Sequence, residues 1–226
     1  SLPSPAVAEI FALAGFDWLF VDLEHSPLTP SDAQAILQAV AGRAACILRV
    51  PLNDEIWIKK ALDTGAAGVM VPQVNTLADA QRAVRYCKYP PQGTRSVGIA
   101  RAHGFSAHFT QYLSTANAET CVIIQIEHIQ AVDNIETILS AEGLDAVLVG
   151  PYDLSASMNL AGQIEHPAVQ AALERIRIAC LKHAIPFGIF TVSAESVAGY
   201  LSAGYRLIAL SGDIFMLTQA AKAAVG

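Results

Sequence analysis

The feature that most constrains the fold is the alternation of short apolar segments with longer amphipathic ones along the whole chain. The apolar segments are rich in β-branched residues, and the segments between them repeat apolar residues with helical spacing. Strands are predicted at 17–24, 44–50, 68–74, 121–127, 145–150, 186–190 and 207–211. Helices are predicted at 6–14, 31–41, 54–64, 76–86, 131–140, 167–183 and 193–203. This alternation predicts a parallel sheet with helical crossovers.

The predicted fold class is α/β, a (β/α)8 TIM barrel that forms a single domain over residues 1–226, since no linker interrupts the pattern. A closed barrel of this class has eight strands, and the sequence contains seven candidates. Because 6–14 has the pattern of the helix that follows a first strand, we expect that strand upstream of Ser1. An open doubly wound sheet is the competing fold. It normally carries a glycine-rich phosphate loop, and neither GxGxxG nor GxxxxGK[ST] occurs here.

Composition argues against several classes of protein. Hydrophobic residues make up 53% of the chain and charged residues 15%, which favours a large core over disorder. No apolar segment reaches the ~18 residues of a membrane span. The net charge is −6 without a cluster of basic residues, which argues against a nucleic-acid partner. The four cysteines are far apart and form no CxxC, so we expect free thiols and a cytoplasmic location.

One segment, 88–109 (KYPPQGTRSVGIARAHGFSAHF), interrupts the alternation. It is too long and too polar to be a simple connection between two elements. Loops of this length in a barrel are usually functional or part of an interface. We therefore predict an irregular segment with one of these roles.

Polar residues cluster where the predicted strands end. In a (β/α)8 barrel, function lies at the carboxyl ends of the strands. Residues two apart share a strand face, so Gln125 and Glu127 are expected to point the same way. The residues that the strands deliver to this rim are Asp22, His25, Arg49, Gln125, Glu127, Gly150, Pro151, Asp153 and Ser211.

Two carboxylates, Glu127 and Asp153, follow neighbouring predicted strands. A pair of carboxylates completed by water and substrate oxygens suits a hard, octahedral cation such as Mg²⁺ or Mn²⁺. In the alternative interpretation, Asp153 caps the following turn and Glu127 pairs with an arginine. Spacing alone leaves both interpretations open.

Asp22, His25 and Arg49 each allow two interpretations. A histidine held by a carboxylate can act as a general base near neutral pH, which makes Asp22 and His25 a possible acid–base pair. Alternatively, Asp22 caps the next segment and His25 is a solvated loop residue. Arg49 offers a rigid fork of donors for an anion or a carbonyl, or else forms a structural ion pair across the barrel.

The lysines discriminate between two ways in which an enzyme can stabilise a carbanion beside a carbonyl group. The chain has five, Lys59, Lys60, Lys88, Lys182 and Lys222, and none lies in a predicted strand. An aldolase that forms a Schiff base needs a desolvated lysine inside the barrel. If the protein handles carbonyl carbanions, a metal ion must therefore withdraw the electrons.

Several segments occur in a familiar order: FDWLFVDLEHSP, RVPLND, ALDTGAAGVMVPQV, YPPQGTRSVGIARA, QIE and GPYDLSASM. Together they resemble the HpcH/HpaI family of class II pyruvate aldolases, which includes 2-dehydro-3-deoxyglucarate and 4-hydroxy-2-oxoheptanedioate aldolases. The resemblance extends from Phe16 to Asp213, and the segments are specific as a set although each alone is weak. The family pattern also has a strand before the SLPSPAVAEI segment.

The resemblance implies a role for each rim residue. Glu127 and Asp153 would hold a divalent cation, Mg²⁺ or Mn²⁺, with Co²⁺ as a further candidate. Arg49 would contact the keto oxygen of pyruvate and stabilise its enolate. The remaining implied roles are pyruvate binding by Gln125, Gly150 and Pro151, acid–base chemistry by His25 oriented by Asp22, support of this pair by Asp63, and substrate binding on the acceptor side by Ser211.

The implied reaction is the reversible retro-aldol cleavage of a 4-hydroxy-2-oxo acid to pyruvate and an aldehyde through a metal-stabilised enolate. The implied assembly is a homohexamer, a trimer of dimers that exchange their C-terminal helices, here 214–225. Two alternatives stay open. One is a related carbon–carbon lyase or condensing enzyme that acts on a CoA thioester or oxaloacetate, and the other is a non-catalytic barrel that binds a small acid.

Overall fold

Seven parallel strands, hydrogen-bonded to one another in chain order, form the centre of the structure, a computed structural model that describes residues 1–226. The strands are β1 (Trp18–Asp22), β2 (Ala45–Arg49), β3 (Gly68–Val71), β4 (Cys121–Ile126), β5 (Ala146–Val149), β6 (Phe187–Thr191) and β7 (Leu207–Leu210). The helices are α1 (Pro5–Leu13), α2 (Pro30–Val40), α3 (Glu55–Asp63), α4 (Leu77–Cys87), α5 (Phe109–Glu119), α6 (Ile129–Asp133), α7 (Ile135–Ile138), α8 (Pro151–Ser157), α9 (Pro167–His183), α10 (Val197–Ser202) and α11 (Asp213–Val225).

The two faces of the sheet pack into two separate apolar cores. In β4, Val122, Ile124 and Ile126 point outward into a core of 44 residues that the helices cover. Ile123 points the other way, into a small inner core to which all seven strands contribute buried or partly buried residues. Because one sheet surrounds this inner core, the strands curve into a nearly closed barrel.

The barrel is open on one side, between β1 and β7, which do not pair with each other. We call this gap the seam. The predicted α/β barrel architecture with seven strands is confirmed. The eighth strand stays a prediction.

Short polar motifs start the helices and so bring the chain back for the next parallel strand. Thr29 and Thr76 cap α2 and α4, and each forms a reciprocal capping box, with Asp32 and Asp79 respectively. Such boxes satisfy backbone N–H groups that the first helical turn leaves free. The helix starts therefore lie just beyond the carboxyl ends of the strands, at the rim that sequence analysis singled out.

The structure differs from the predicted elements in three places. The predicted helix 131–140 is two short helices, α6 and α7, because the chain leaves the helical conformation at Asn134, whose side-chain amide donates to the Asn75 carbonyl. Helices α5 and α8 were not predicted. Segment 88–109 is irregular as expected, with one 3-10 turn at Arg101–His103. The four cysteines are free, and none of the helices combines the length and apolarity that crossing a membrane requires.

Candidate active site

The structure brings together four side chains from three strands at the carboxyl rim of the barrel. Asp22 ends β1, Arg49 ends β2, and Gln125 and Glu127 lie at the end of β4. All four are buried, with at most 8% of each residue exposed. Burial of a charged or amide group is costly unless it is paired, so each of these groups should have a partner.

Arg49 is held rigidly by Asp22. Its Nε and Nη2 donate to the two carboxylate oxygens of Asp22 at 2.9 and 2.8 Å, a bidentate geometry that fixes the guanidinium plane. Its Nη1 lies 3.5 Å from the Gln125 Oε1, and its guanidinium lies 5.0 Å from the Phe20 ring centroid. A structural ion pair is thus present, although it joins the neighbouring strands β1 and β2 and does not cross the barrel. Nη1 keeps a donor for a bound carbonyl or carboxylate.

The partners of Asp22 differ from those predicted. Both of its oxygens are occupied by Arg49, and Oδ1 also accepts the backbone N–H groups of Glu24 and His25. Burial acts to raise the pKa of Asp22, but the hydrogen bonds and charge of Arg49 outweigh it and the pKa is lowered. The expected pairing of Asp22 with the His25 imidazole is therefore not present. The imidazole is 67% exposed, and its Nε2 lies 3.9 Å from the Glu24 Oε2.

Glu127 is oriented by the main chain rather than by an arginine. Its Oε1 accepts the backbone N–H of Gln73 at 2.8 Å, and Gln73 has a left-handed backbone with φ of 54°. Burial raises the pKa of Glu127 to about 7, and the nearby carboxylates of Glu24 and Asp153 add to this effect. A buried carboxylate with a raised pKa at the rim of a barrel is typical of a functional group.

Asp153 lies in the first turn of α8, directly after the Gly150–Pro151 turn. Its side chain does not cap the helix. Gly150 packs so closely on the site that an added Cβ would lie 3.1 Å from both the Gln125 Nε2 and the Glu127 Oε2. The turn therefore forms a wall of the site beside Glu127.

The charge balance at the rim fits a divalent cation. Four carboxylates, Asp22, Glu24, Glu127 and Asp153, face one guanidinium, Arg49, which leaves a net charge of −3 when all are ionised. No three acidic, histidine or cysteine side chains converge closely enough to hold an ion by themselves. A pair of carboxylates would therefore leave most coordination positions to water and substrate oxygens, which suits Mg²⁺ or Mn²⁺.

Two further predicted residues lie in different places. Ser211 follows β7 at the rim, with φ of 57°, and lines a cavity of about 650 Å³ that extends from Asp22 and Arg49 to the seam. Asp63 is not at this rim. It ends α3, and its carboxylate accepts from Arg95 Nη2 at 2.8 Å. Because α3 runs antiparallel to the strands, its last residue lies at their amino ends.

Sequence analysis assigned no role to two residues of this site, Glu24 and Gln73. Glu24 carried a usable signal, because it is two residues from Asp22 and so has the same strand parity. Gln73 carried none, because it contributes a backbone N–H and not its side chain.

Comparison with known proteins agrees with this arrangement. The model of the family described as HpcH/HpaI aldolase/citrate lyase matches residues 1–220. A hydroxypyruvate/pyruvate aldolase of Roseobacter denitrificans is 40% identical over 98% of this chain and 88% of its own length. A 4-hydroxy-2-oxo-heptane-1,7-dioate aldolase of Escherichia coli is 39% identical over 98% of this chain and 86% of its own length.

The fold has the same relatives. The crystal structure of a family protein from Burkholderia cenocepacia, 39% identical, superposes with a TM-score of 0.96 over 100% of this chain and 90% of that one. The family model matches nearly the whole chain. The two aldolases, at 39–40% identity over 98% of the chain, are similar enough to share its family. The chain belongs to the HpcH/HpaI aldolase/citrate lyase family.

Proposed function

We propose that the protein is a carbon–carbon lyase, a metal-dependent aldolase that reversibly cleaves a 4-hydroxy-2-oxo acid to pyruvate and an aldehyde. Two relatives with 39–40% identity are named as aldolases, one of them for pyruvate. The observation that carries the proposal is the Arg49 guanidinium, which Asp22 fixes beside Gln125. A donor fixed in advance can stabilise charge that develops on a substrate oxygen without reorganising.

The reaction requires a defined movement of electrons. The bond between C3 and C4 breaks, the 4-hydroxyl loses its proton and becomes the aldehyde oxygen, and the bonding electrons form the enolate of pyruvate. Protonation of C3 then gives the pyruvate methyl group. The site must therefore stabilise negative charge on the keto oxygen and move one proton.

Glu127 and Asp153 are the residues that would hold the cation, Mg²⁺ or Mn²⁺ with Co²⁺ as a further candidate. When bound, the cation supplies positive charge at the keto oxygen of the substrate. Arg49 would donate a hydrogen bond to the same oxygen. Gln125 and the Gly150–Pro151 turn enclose the pyruvate half of the substrate.

His25 is the proposed acid–base group. Its exposed imidazole is free of other hydrogen bonds and lies at the mouth of the cavity, where it can take the proton of the 4-hydroxyl. Ser211 lies on the far side of the same cavity and would contact the aldehyde half. Asp63 has no place in the site within one chain, because it lies at the opposite end of the barrel.

We further propose a homohexamer, a trimer of dimers. Helix α11 buries none of its residues within the chain, and Ile214, Phe215 and Leu217 are each about half exposed. Such an apolar surface is typical of an interface between subunits.

The test of the activity is deuterium exchange into the methyl group of pyruvate, followed by NMR, with Mg²⁺ or Mn²⁺ compared with EDTA. Enolate formation predicts exchange that depends on the cation and that is lost in Glu127→Gln. No aldehyde is needed, so the test does not depend on the second substrate.

The absence of exchange in folded protein supplied with the cation would contradict the proposal. Turnover of oxaloacetate or of a CoA thioester by the same preparation would then favour a related lyase or condensing enzyme. Binding of a small acid without turnover would favour a non-catalytic barrel.

A further inference from the structure

Glu24 is a mostly buried carboxylate that receives no hydrogen bond from the protein. Its side chain is 15% exposed, and its Oε2 is buried without a hydrogen-bond partner. The Arg49 Nε lies 3.2 Å away, but its single hydrogen is directed at the Asp22 Oδ1 at 2.9 Å. The Glu24 carboxylate therefore lies within ion-pair distance of Arg49 but accepts no hydrogen bond from it.

The position of Glu24 is well defined. Its backbone N–H donates to the Asp22 Oδ1 at 3.0 Å, and the preceding Leu23 N–H donates to the Arg49 carbonyl at 2.9 Å. The turn after β1 is thus tied to β2. The carboxylate is directed into the site by the fold and not by a flexible loop.

The Glu24 carboxylate is incompletely compensated without a ligand. Burial raises its pKa, and Asp22 and Asp153 add to this effect, whereas the charges of Arg49 and His25 act in the opposite direction. An unpartnered buried acceptor costs about 1–3 kcal/mol, and more when it is charged. Whatever completes this site must therefore present positive charge or hydrogen-bond donors to Glu24.

A hydrated divalent cation presents both. Glu24 does not converge with Glu127 and Asp153 into a three-carboxylate ligand set, so a direct bond from all three is not the arrangement here. The hydration shell of a cation held by Glu127 and Asp153 directs O–H donors outward. Carboxylates that accept from such donors commonly raise cation affinity by about 10–100-fold.

We propose that Glu24 is a positioning residue for the cation of this site. It accepts a hydrogen bond from the hydration shell and so raises the affinity of the Glu127–Asp153 pair for divalent cations. The inference rests on the proposed function, because it presumes that this pair holds the cation.

The experiment is a titration of the purified full chain with Mn²⁺, in which the EPR signal of free Mn²⁺ gives the dissociation constant without any turnover. Glu24→Gln keeps the size of the side chain and removes its charge. We expect its dissociation constant to rise about tenfold or more. Glu24→Asp, which keeps the charge, should recover part of this loss.

The matched control is Glu195→Gln, the same substitution after β6 at the same rim, where the carboxylate accepts from the Ser193 Oγ at 2.7 Å. It should bind Mn²⁺ like the unaltered protein. Thermal unfolding of each variant without cation checks that the fold is intact.

Two outcomes are distinguishable. Unchanged Mn²⁺ affinity in Glu24→Gln, beside a large loss in Glu127→Gln, would overturn the role of Glu24 and leave the proposed function standing. Glu24 would then have no role in cation binding and would only lie close to His25. Failure of the unaltered protein to bind Mn²⁺ would instead contradict the metal-dependent function itself.

Discussion

At the scale of single residues, the pair formed by Asp22 and Arg49 determines how the site is organised. The Asp22 carboxylate is directed at the guanidinium through both oxygens, and its Oδ1 also accepts two backbone N–H groups, so it is not directed at the His25 imidazole. The arginine gains a fixed plane, and His25 keeps its freedom at the surface. The site therefore combines a rigid half that stabilises charge with an exposed half that can move a proton.

Replacing Asp22 with asparagine should destabilise the protein, because the buried guanidinium loses its counter-charge. We expect the free energy of unfolding to decrease by about 3 kcal/mol, measured by urea denaturation. Asp133→Asn is the control, since its ion pair with Arg175 is more than half exposed and should contribute less than about 1 kcal/mol. Equal effects of the two substitutions would contradict the structural role of Asp22.

The raised pKa of Glu127 predicts how stability depends on pH in the absence of a divalent cation. Its folded pKa of about 7 exceeds the ordinary 4.5, so the folded protein binds this proton more tightly than the unfolded chain does. Stability should therefore decrease as the pH rises from 4.5 to about 7, by up to about 3 kcal/mol from this group. Thermal unfolding in EDTA across this range should show a smaller decrease in Glu127→Gln.

The opposite dependence is expected for cation binding, since the cation must displace this proton. Mn²⁺ affinity should increase with pH up to about 7 and then become constant. Affinity that did not change across this range would show that Glu127 is ionised throughout.

Much of the site could be predicted from residue types at strand ends, but their partners could not. Arg49, Gln125 and Glu127 lie on the inward face because strand parity requires it. The choice of Arg49 over His25 as the partner of Asp22 depends on three-dimensional distances between neighbouring strands. The position of Asp63 could not be predicted from its motif either. The motif resembles the family, but helix α3 places Asp63 at the opposite end of the barrel.

At the scale of elements, the strands were easier to predict than the helices. The central strands are nearly continuous buried apolar segments, as in β3 and β5, where every residue is buried. Helix α5 buries only Ala116, so its apolar stripe is too weak to be recognised. Helix α8 has seven residues and follows a Gly-Pro pair that resembles a turn.

Two glycines predict a contrast between strand and helix. An added Cβ at Gly188 in β6 would clash with the Leu207 carbonyl oxygen, whereas one at Gly199 in α10 meets nothing within 4 Å. We expect Gly188→Ala to lower the free energy of unfolding by about 1–3 kcal/mol or more. Gly199→Ala should leave it unchanged or raise it by up to about 1 kcal/mol.

Urea denaturation of both variants tests this contrast. If Gly188→Ala were as stable as Gly199→Ala, the close pairing of β6 with β7 would be wrong. The sequence alone could not distinguish these glycines, because the contact belongs to a neighbouring strand.

At the scale of the whole molecule, the exposed apolar surface of α11 predicts association of several chains. Phe215→Glu combined with Leu217→Glu should reduce the mass measured by light scattering, because two charges would enter the proposed interface. Ala223→Glu introduces a charge at an exposed position on the opposite face of the same helix and should preserve the assembly. A monomeric unaltered protein would exclude the proposed hexamer.

Within residues 1–226, β1 and β7 each pair with one strand, whereas the strands between them pair with two. Most residues of β1 and β7 are also only partly buried, which predicts a gradient of local stability across the sheet. Amide hydrogens should therefore exchange with solvent fastest at the two edges and slowest in β3, β4 and β5. Glu127 follows β4 in the middle of the sheet, whereas Asp22 ends β1 at its edge. Local opening of β1 would therefore separate Asp22 from Arg49 while the Glu127 carboxylate stayed in place.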